Sequence, residues 1–227
     1  MSCIDASYGQ PMNELQVNIV GTTGAGARLL VLVHGYGADE FDLAGLVPHI
    51  DPHGRFFTVC PRGPRSVMGF GAGWYERNDD GTIDSAMFLS SVDALDITIN
   101  RACADGGFDR AEAVIIGFSQ GGAMTLASAL RTPGATRPAA MACLSGMLTE
   151  LDGLEYGFEN STSSDSMPEI LIHHGTLDPM VIVDRGQAIR DTLTTHGVEH
   201  TYREYPMQHE ISMASMHDLR DWLARLI

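Results

Sequence analysis

A serine stands at the centre of Gly117-Phe118-Ser119-Gln120-Gly121, directly after the apolar run Val114-Ile115-Ile116 and directly before Gly122-Ala123-Met124. A strand, a tight turn and a helix in that order hold a serine hydroxyl where a reacting group can approach it. Gly117 and Gly121 belong to the pattern because a Cβ at either place collides with the neighbouring strand or helix. A serine hydroxyl is a poor nucleophile near neutral pH. It needs a base to take its proton and a third group to hold that base in the right tautomer. For a serine on this kind of elbow, the acid and then the histidine follow along the chain. Asp178, just beyond a predicted strand end, and His209, in the loop Tyr205-Pro206-Met207-Gln208-His209 before the last helix, occupy those places. The reading is Ser119 as nucleophile, His209 as base and Asp178 as orienting acid.

Negative charge developing on a carbonyl oxygen needs fixed donors. The elbow supplies the backbone N–H of Gln120, the residue after the nucleophile. The second donor is assigned to the N–H of Tyr36, in the loop His34-Gly35-Tyr36-Gly37 that follows another apolar run. The other histidines lose to His209 on position. His49, His53, His196 and His200 flank predicted helix or strand ends, and His217 falls inside the last helix. His173 and His174 are consecutive at a strand end, so they point to opposite faces and do not readily grip one metal ion together. With no ligand cluster at useful spacing, neither a catalytic metal nor a cofactor is expected. Asp184 is the rival acid and Asp39 another candidate, but both sit where capping a helix is the plainer role.

The elements that must position these groups alternate. Residues 15–20 read as an outer strand with one wet face, and 21–26 as a hairpin-like turn. Residues 28–33, apolar after Arg28, suit a strand covered on both faces. Asp39 is expected to cap a short helix containing Phe41, Leu43, Leu46 and Val47. Residues 55–60 form the next strand, stopped by Pro61. Residues 62–82 show much glycine and no regular pattern, and read as a long loop. Its Met68, Phe70, Trp74 and Tyr75 are assigned to substrate binding, although Trp74 and Tyr75 would as readily pin the loop to the domain. Phe88, Val92, Leu95, Ile99 and Cys103 recur at helical spacing, ended by Gly106-Gly107. A helix over 123–130, a strand over 139–144, a flexible serine-rich connection at 161–166, a strand over 170–173, a helix over 184–196 and a strand over 198–205 follow. An amphipathic helix with Met213, Met216, Leu219, Trp222, Leu223 and Leu226 closes the chain. The fold class is therefore α/β, a mostly parallel central sheet with helices on both faces, in a single domain over 1–227. Ligands in that architecture sit at the carboxyl ends of the strands.

The charge balance, 14 basic against 29 acidic residues for a net −15, argues against nucleic acid or an anionic membrane as partner. Cys3, Cys60, Cys103 and Cys143 are scattered and read as reduced thiols. The N-terminus lacks the basic start and apolar run of a secretory signal, and no apolar stretch is long enough to span a bilayer. A soluble cytoplasmic protein without stable membrane insertion is expected.

His34-Gly35-Tyr36-Gly37-Ala38-Asp39, Gly117 to Gly122, Leu144-Ser145-Gly146, Gly175-Thr176-Leu177-Asp178 and His209-Glu210-Ile211 together resemble the phospholipase/carboxylesterase family of α/β-hydrolases, which includes acyl-protein thioesterases and bacterial type II carboxylesterases. The resemblance spans nearly the whole chain. It implies an α/β-hydrolase fold without a large lid domain, Ser119, Asp178 and His209 as a catalytic triad, and the Tyr36 and Gln120 amides as an oxyanion hole. Tyr36 stands where the thioesterases usually carry leucine, a feature similar to the bacterial esterase branch. The expected function is a serine carboxylesterase acting on a small acyl ester of short to medium chain through an acyl-enzyme. A thioesterase or lysophospholipase acting on longer chains, and a non-catalytic binding homologue, are the alternatives. An exposed apolar loop serves a homodimer interface as readily as a pocket.

Overall fold

The all-apolar runs take the middle of a sheet, because only there are both faces of a strand covered. The computed structural model describes residues 14–227 except 23, 25, 79 and 159–165. In chain order it has β1 (Val17–Val20), β2 (Arg28–Val33), a 3₁₀ turn at Leu43–Leu46 running into α1 (Val47–Ile50), β3 (Phe56–Pro61), β4 (Arg65–Val67), β5 (Gly71–Gly73) and α2 (Ser85–Gly106). Then come β6 (Val114–Phe118), α3 (Gln120–Leu130), β7 (Ala140–Leu144), β8 (Glu169–Gly175), α4 (Val183–Thr195), β9 (Thr201–Tyr205) and α5 (Met213–Arg225). Seven strands form the main sheet in the order β1-β3-β2-β6-β7-β8-β9, parallel throughout except where β1 meets β3.

Strand alternation divides the core. Leu29, Val31 and Val33 of β2 pack with α2 and α3, whereas Leu30 and Leu32 pack with α1 and α5. The apolar stripe of α5, Met216, Leu219, Trp222 and Leu223, docks on the second of these faces. On the first, α4 adds Ile189 and Leu193 against Ile170 and Ile172 of β8. Asp84 caps α2 by accepting from the Met87 amide at 2.9 Å, and Gly107 ends it in the left-handed region at φ 71°. Among the described residues no helix is long and apolar enough to cross a membrane.

Several local expectations are corrected. β1 and β2 are not a hairpin, since β3 lies between them, joined to β2 in parallel through the α1 crossover. Pro61 ends β3 from within, at the antiparallel pairing with β1. Asp39 does not cap a helix. Its Oδ1 accepts from the Phe41 amide at 2.9 Å, and the 3₁₀ turn begins after Asp42 with no side-chain cap. Residues 62–82 are not one irregular loop, because β4 and β5 pair as a short antiparallel ribbon. His173 and His174 lie inside β8 rather than at its end, and β9 starts at Thr201. Cys60, Cys103 and Cys143 are free and buried. Cys3 and most of the serine-rich segment 161–166 lie outside the described residues.

Candidate active site

At the carboxyl end of β6 the chain turns so sharply into α3 that Ser119 takes φ 56° and ψ −118°. A non-glycine residue there stores about 1–3 kcal/mol of strain, held by its surroundings. The Ser119 amide donates to the Leu144 carbonyl of β7 at 2.9 Å. The two glycines of the elbow leave no alternative residue. A Cβ on Gly117 would lie 2.0 Å from the Gly121 carbonyl oxygen, and one on Gly121 would lie 2.0 Å from that of Val33.

The structure brings Ser119, His209 and Asp178 together from three loops at one edge of the sheet. His209 Nε2 is 2.9 Å from Ser119 Oγ, and His209 Nδ1 is 2.7 Å from Asp178 Oδ2. The Phe118 ring, centroid 4.9 Å from that of His209, packs against the imidazole. Asp178 Oδ1 accepts from the amides of Met180 at 2.8 Å and Val181 at 2.9 Å. Burial acts to raise the Asp178 pKa, but the hydrogen bonds from His209 and those two amides outweigh it, and the carboxyl is held below its ordinary range. His174 lies beneath the loop and donates from Nε2 to the Val181 carbonyl at 2.8 Å. The site thus has a hydroxyl, an imidazole and a carboxylate in hydrogen-bonded sequence. That sequence can move a proton off oxygen.

The loop carrying Tyr36 is fixed against the elbow. A Cβ on Gly35 would sit 3.3 Å from Ser119 Cβ, and the Gly37 amide donates to the Ala72 carbonyl at 2.8 Å. His34, fully buried, has Nδ1 2.7 Å from the Gly35 carbonyl oxygen and accepts the Gly63 amide on Nε2 at 2.9 Å. That places its single proton on Nδ1. Desolvation lowers its pKa despite the Gly35 hydrogen bond and the nearby carboxylates, which favours this neutral form. Gln120 opens α3, where the first amides have no partner within the helix. Its side chain also ties down the neighbouring loop, with Oε1 accepting from the Trp74 amide at 3.0 Å and Nε2 donating to the Tyr75 carbonyl at 2.9 Å.

A cleft of about 470 Å³ opens over Ser119 and His209, walled by Tyr36, Tyr75, Arg77, Met147, Met180 and Val181. Of the four residues assigned to substrate binding, only Tyr75 lies on its wall. Met68 and Phe70, 84% and 75% exposed, sit at the turn of the β4–β5 ribbon, outside the cleft lining. Trp74 is wholly buried, its indole N–H donating to the His34 carbonyl at 2.8 Å, so it pins the loop beneath the site. The ribbon explains this difference, since it carries 68–70 outward while 74–75 return under the elbow. Sequence reasoning missed Met147, Met180 and Val181. The signal was present, because each follows a strand-end motif, Ser145-Gly146 or Asp178-Pro179, already assigned to the same edge of the sheet.

A sequence profile described as Phospholipase/Carboxylesterase matches residues 16–227. The carboxylesterase SOBER1 of Arabidopsis thaliana is 32% identical over 144 residues, which are 63% of this chain and 60% of that protein. Acyl-protein thioesterase 1 of Yarrowia lipolytica is 27% identical over 216 residues, 90% of this chain and 87% of that protein. Among solved structures, esterase PE8 superposes with a TM-score of 0.79 at 25% identity, covering 94% of this chain and all of its own. With the parallel sheet, the serine elbow at the end of β6 and the profile match over nearly its whole length, the chain belongs to the phospholipase/carboxylesterase family of α/β-hydrolases.

Proposed function

We propose that this protein is a serine carboxylesterase that hydrolyses short- to medium-chain acyl esters through an acyl-enzyme. The observation that carries the reading is the continuous chain from Ser119 Oγ to His209 at 2.9 Å and from His209 to Asp178 at 2.7 Å. Ser119 Oγ attacks the ester carbonyl while His209 Nε2 takes its proton, and Asp178 steadies the imidazolium through Nδ1–H. The carbonyl oxygen becomes an oxyanion held by the amides of Tyr36 and Gln120. His209 then returns the proton to the departing alkoxide. Water, deprotonated by the same imidazole, attacks the acyl-enzyme, the acyl–Oγ bond breaks, and His209 returns the proton to Ser119 Oγ as the acid leaves. A cleft of about 470 Å³ with apolar walls from Met147, Met180 and Val181 suits a short or medium acyl group.

A second reading, a thioesterase or lysophospholipase using the same site on longer chains, is favoured by Met180, which is 75% exposed at the cleft, and by Met68 and Phe70 on the nearby ribbon. Chain-length profiling separates the two. Each further buried methylene adds about 0.8 kcal/mol to a long-chain enzyme's preference, so a steady fall in kcat/KM beyond medium-length chains removes the second reading.

The primary test is Ser119→Ala assayed on p-nitrophenyl acetate and butyrate. The expected loss is about 10⁶-fold in kcat, and activity within tenfold of the unaltered protein sinks the assignment. Intact-mass detection of a fluorophosphonate adduct on Ser119 separates an enzyme from a non-catalytic homologue.

A further inference from the structure

All 14 basic residues of this chain are arginines, set against 29 carboxylates. In such an excess of acid an arginine readily finds a carboxylate, as Arg62 does with Glu40 at 2.7 Å and Arg203 with Asp218 at 2.6 Å. Among the described residues Arg28, Arg77, Arg185 and Arg225 have no carboxylate within 4.0 Å, and of these Arg77 and Arg185 line one and the same groove. That groove, about 770 Å³, runs between Arg77, Asn78 and residues 81–85 on one side, residues 147–152, and the Arg185, Ala188, Thr192 face of α4. It adjoins the cleft over Ser119, with Arg77 and Met147 on the walls of both.

Arg77 is held without being neutralised. Its Nη1 donates to the Gly81 carbonyl at 3.0 Å and its Nη2 rests 3.9 Å from Met147 Sδ, which leaves other N–H groups free to donate. Two of the acids nearby are engaged elsewhere. Glu76 on the cleft wall pairs with Arg65 at 3.7 Å, and Asp84 in the groove caps α2. Glu150 and Asp152 line the groove as well, so its lining sets two arginines against three carboxylates, a smaller excess of acid than the two to one of the whole chain. A guanidinium meets a carboxylate as a planar fork, with charge-assisted hydrogen bonds stronger than neutral ones.

We propose that Arg77, with Arg185 further along the groove, receives a carboxylate carried by the substrate, so that the preferred substrates are esters bearing a second, anionic group. The proposal rests on Ser119 being the nucleophile. The carboxylate can belong to the acyl part, as in a half-ester of a dicarboxylic acid, or to the alcohol part, as in an acylated hydroxy acid.

The test measures kcat/KM in a pH-stat for matched pairs. Monoethyl succinate, glutarate and adipate are set against neutral ethyl esters of equal chain length, and butyryl glycolate against a neutral butyrate ester. The unaltered protein should favour at least one anionic series by about tenfold, the scale of one hydrogen bond to a charged group. Arg77→Gln should reduce that anionic-to-neutral ratio by a similar factor, Arg77→Lys should restore part of it, and added salt should shrink it. The series that responds identifies the acyl or the alcohol side. A ratio of one or less in the unaltered protein, or a preference that survives Arg77→Gln, overturns the proposal. Fluorophosphonate labelling of Ser119 is run in parallel. Labelling without anionic preference removes this proposal alone, whereas absence of both labelling and neutral-ester hydrolysis removes the nucleophile assignment and this proposal with it.

Discussion

Asp178→Asn separates the tautomeric role of the acid from its structural one, because the loop dictates which way an amide must face. Oδ1 accepts two backbone N–H groups at 2.8 and 2.9 Å, and Oδ2 faces His209 Nδ1 at 2.7 Å. In the variant the amide oxygen keeps the Oδ1 position. Reversing it would set an NH₂ against the Met180 and Val181 amides and leave both without an acceptor, at about 1–3 kcal/mol each. The NH₂ therefore faces His209 Nδ1, which must accept, and the imidazole proton moves to Nε2. An Nε2–H cannot take the proton of Ser119 across the 2.9 Å contact.

The cost of reversal, about 2–6 kcal/mol in all, leaves the working arrangement in at most a few per cent of molecules, at about 1.4 kcal/mol per tenfold. The expected loss in kcat thus falls between about 30-fold and about 10⁴-fold, the upper figure matching a full wrong-tautomer defect. It is measured on p-nitrophenyl butyrate and, independently, as the rate of fluorophosphonate labelling. Asp178→Ala is the structural control. It removes the acceptor of both amides, so its urea midpoint should lie below that of Asp178→Asn. Activity of Asp178→Asn within tenfold of the unaltered protein refutes the role of the acid, and equal midpoints for the two variants refute the inferred amide orientation.

His173, buried in β8, has Nδ1 2.9 Å from Ser215 Oγ and Nε2 3.1 Å from Tyr205 Oη, whose proton goes to Asp218. Desolvation brings its pKa down to about 4, so its stabilising contribution is complete above the ordinary histidine range and is lost as pH falls from about 6.5 towards 4. Urea unfolding should show about 2 kcal/mol of extra loss between pH 7.5 and 5 relative to His173→Gln, and parallel pH profiles for the two proteins count against it. Asp96 joins α2 to Arg110 at 2.7 Å, Ser128 at 2.6 Å and Arg131 at 2.8 Å. Asp96→Ala strands the buried Arg110 guanidinium and should cost about 3–5 kcal/mol, against which a urea-measured change under about 1 kcal/mol would be decisive.

The parts of the site that were legible in the sequence are those whose local chemistry announces itself. Ser119 needs two glycines that a Cβ would push into Val33 and into the start of α3, Asp178 follows a strand whose apolar run is unmistakable, and His209 takes the last place in the serine–acid–histidine order, before the closing helix. The sheet was legible for the same reason, since β2, β6, β7 and β8 are buried on both faces and carry no competing period. The β4–β5 ribbon was not. Strands of three residues, one of them Gly-Ala-Gly, have no periodicity to read, and the ribbon is anchored by the Gly37 N–H donating to the Ala72 carbonyl at 2.8 Å and the Ala72 N–H donating to the Ala38 carbonyl at 2.7 Å, partners more than thirty positions away in the chain. Trp74 shows the same limit. A tryptophan among glycines looks like a pocket wall until its indole finds the carbonyl of His34, forty positions earlier in the chain.

Gln120 links these parts, although its residue type is not required by the elbow, which asks only for its backbone amide. The side chain grips the Trp74 amide and the Tyr75 carbonyl together, so the cleft wall and the serine turn form one hydrogen-bonded unit. A change in residues 73–76 therefore reaches the orientation of α3 at its first residue. A change at Gln120 likewise reaches Arg77, two positions past the carbonyl it holds, and with it the charge at the mouth of the cleft.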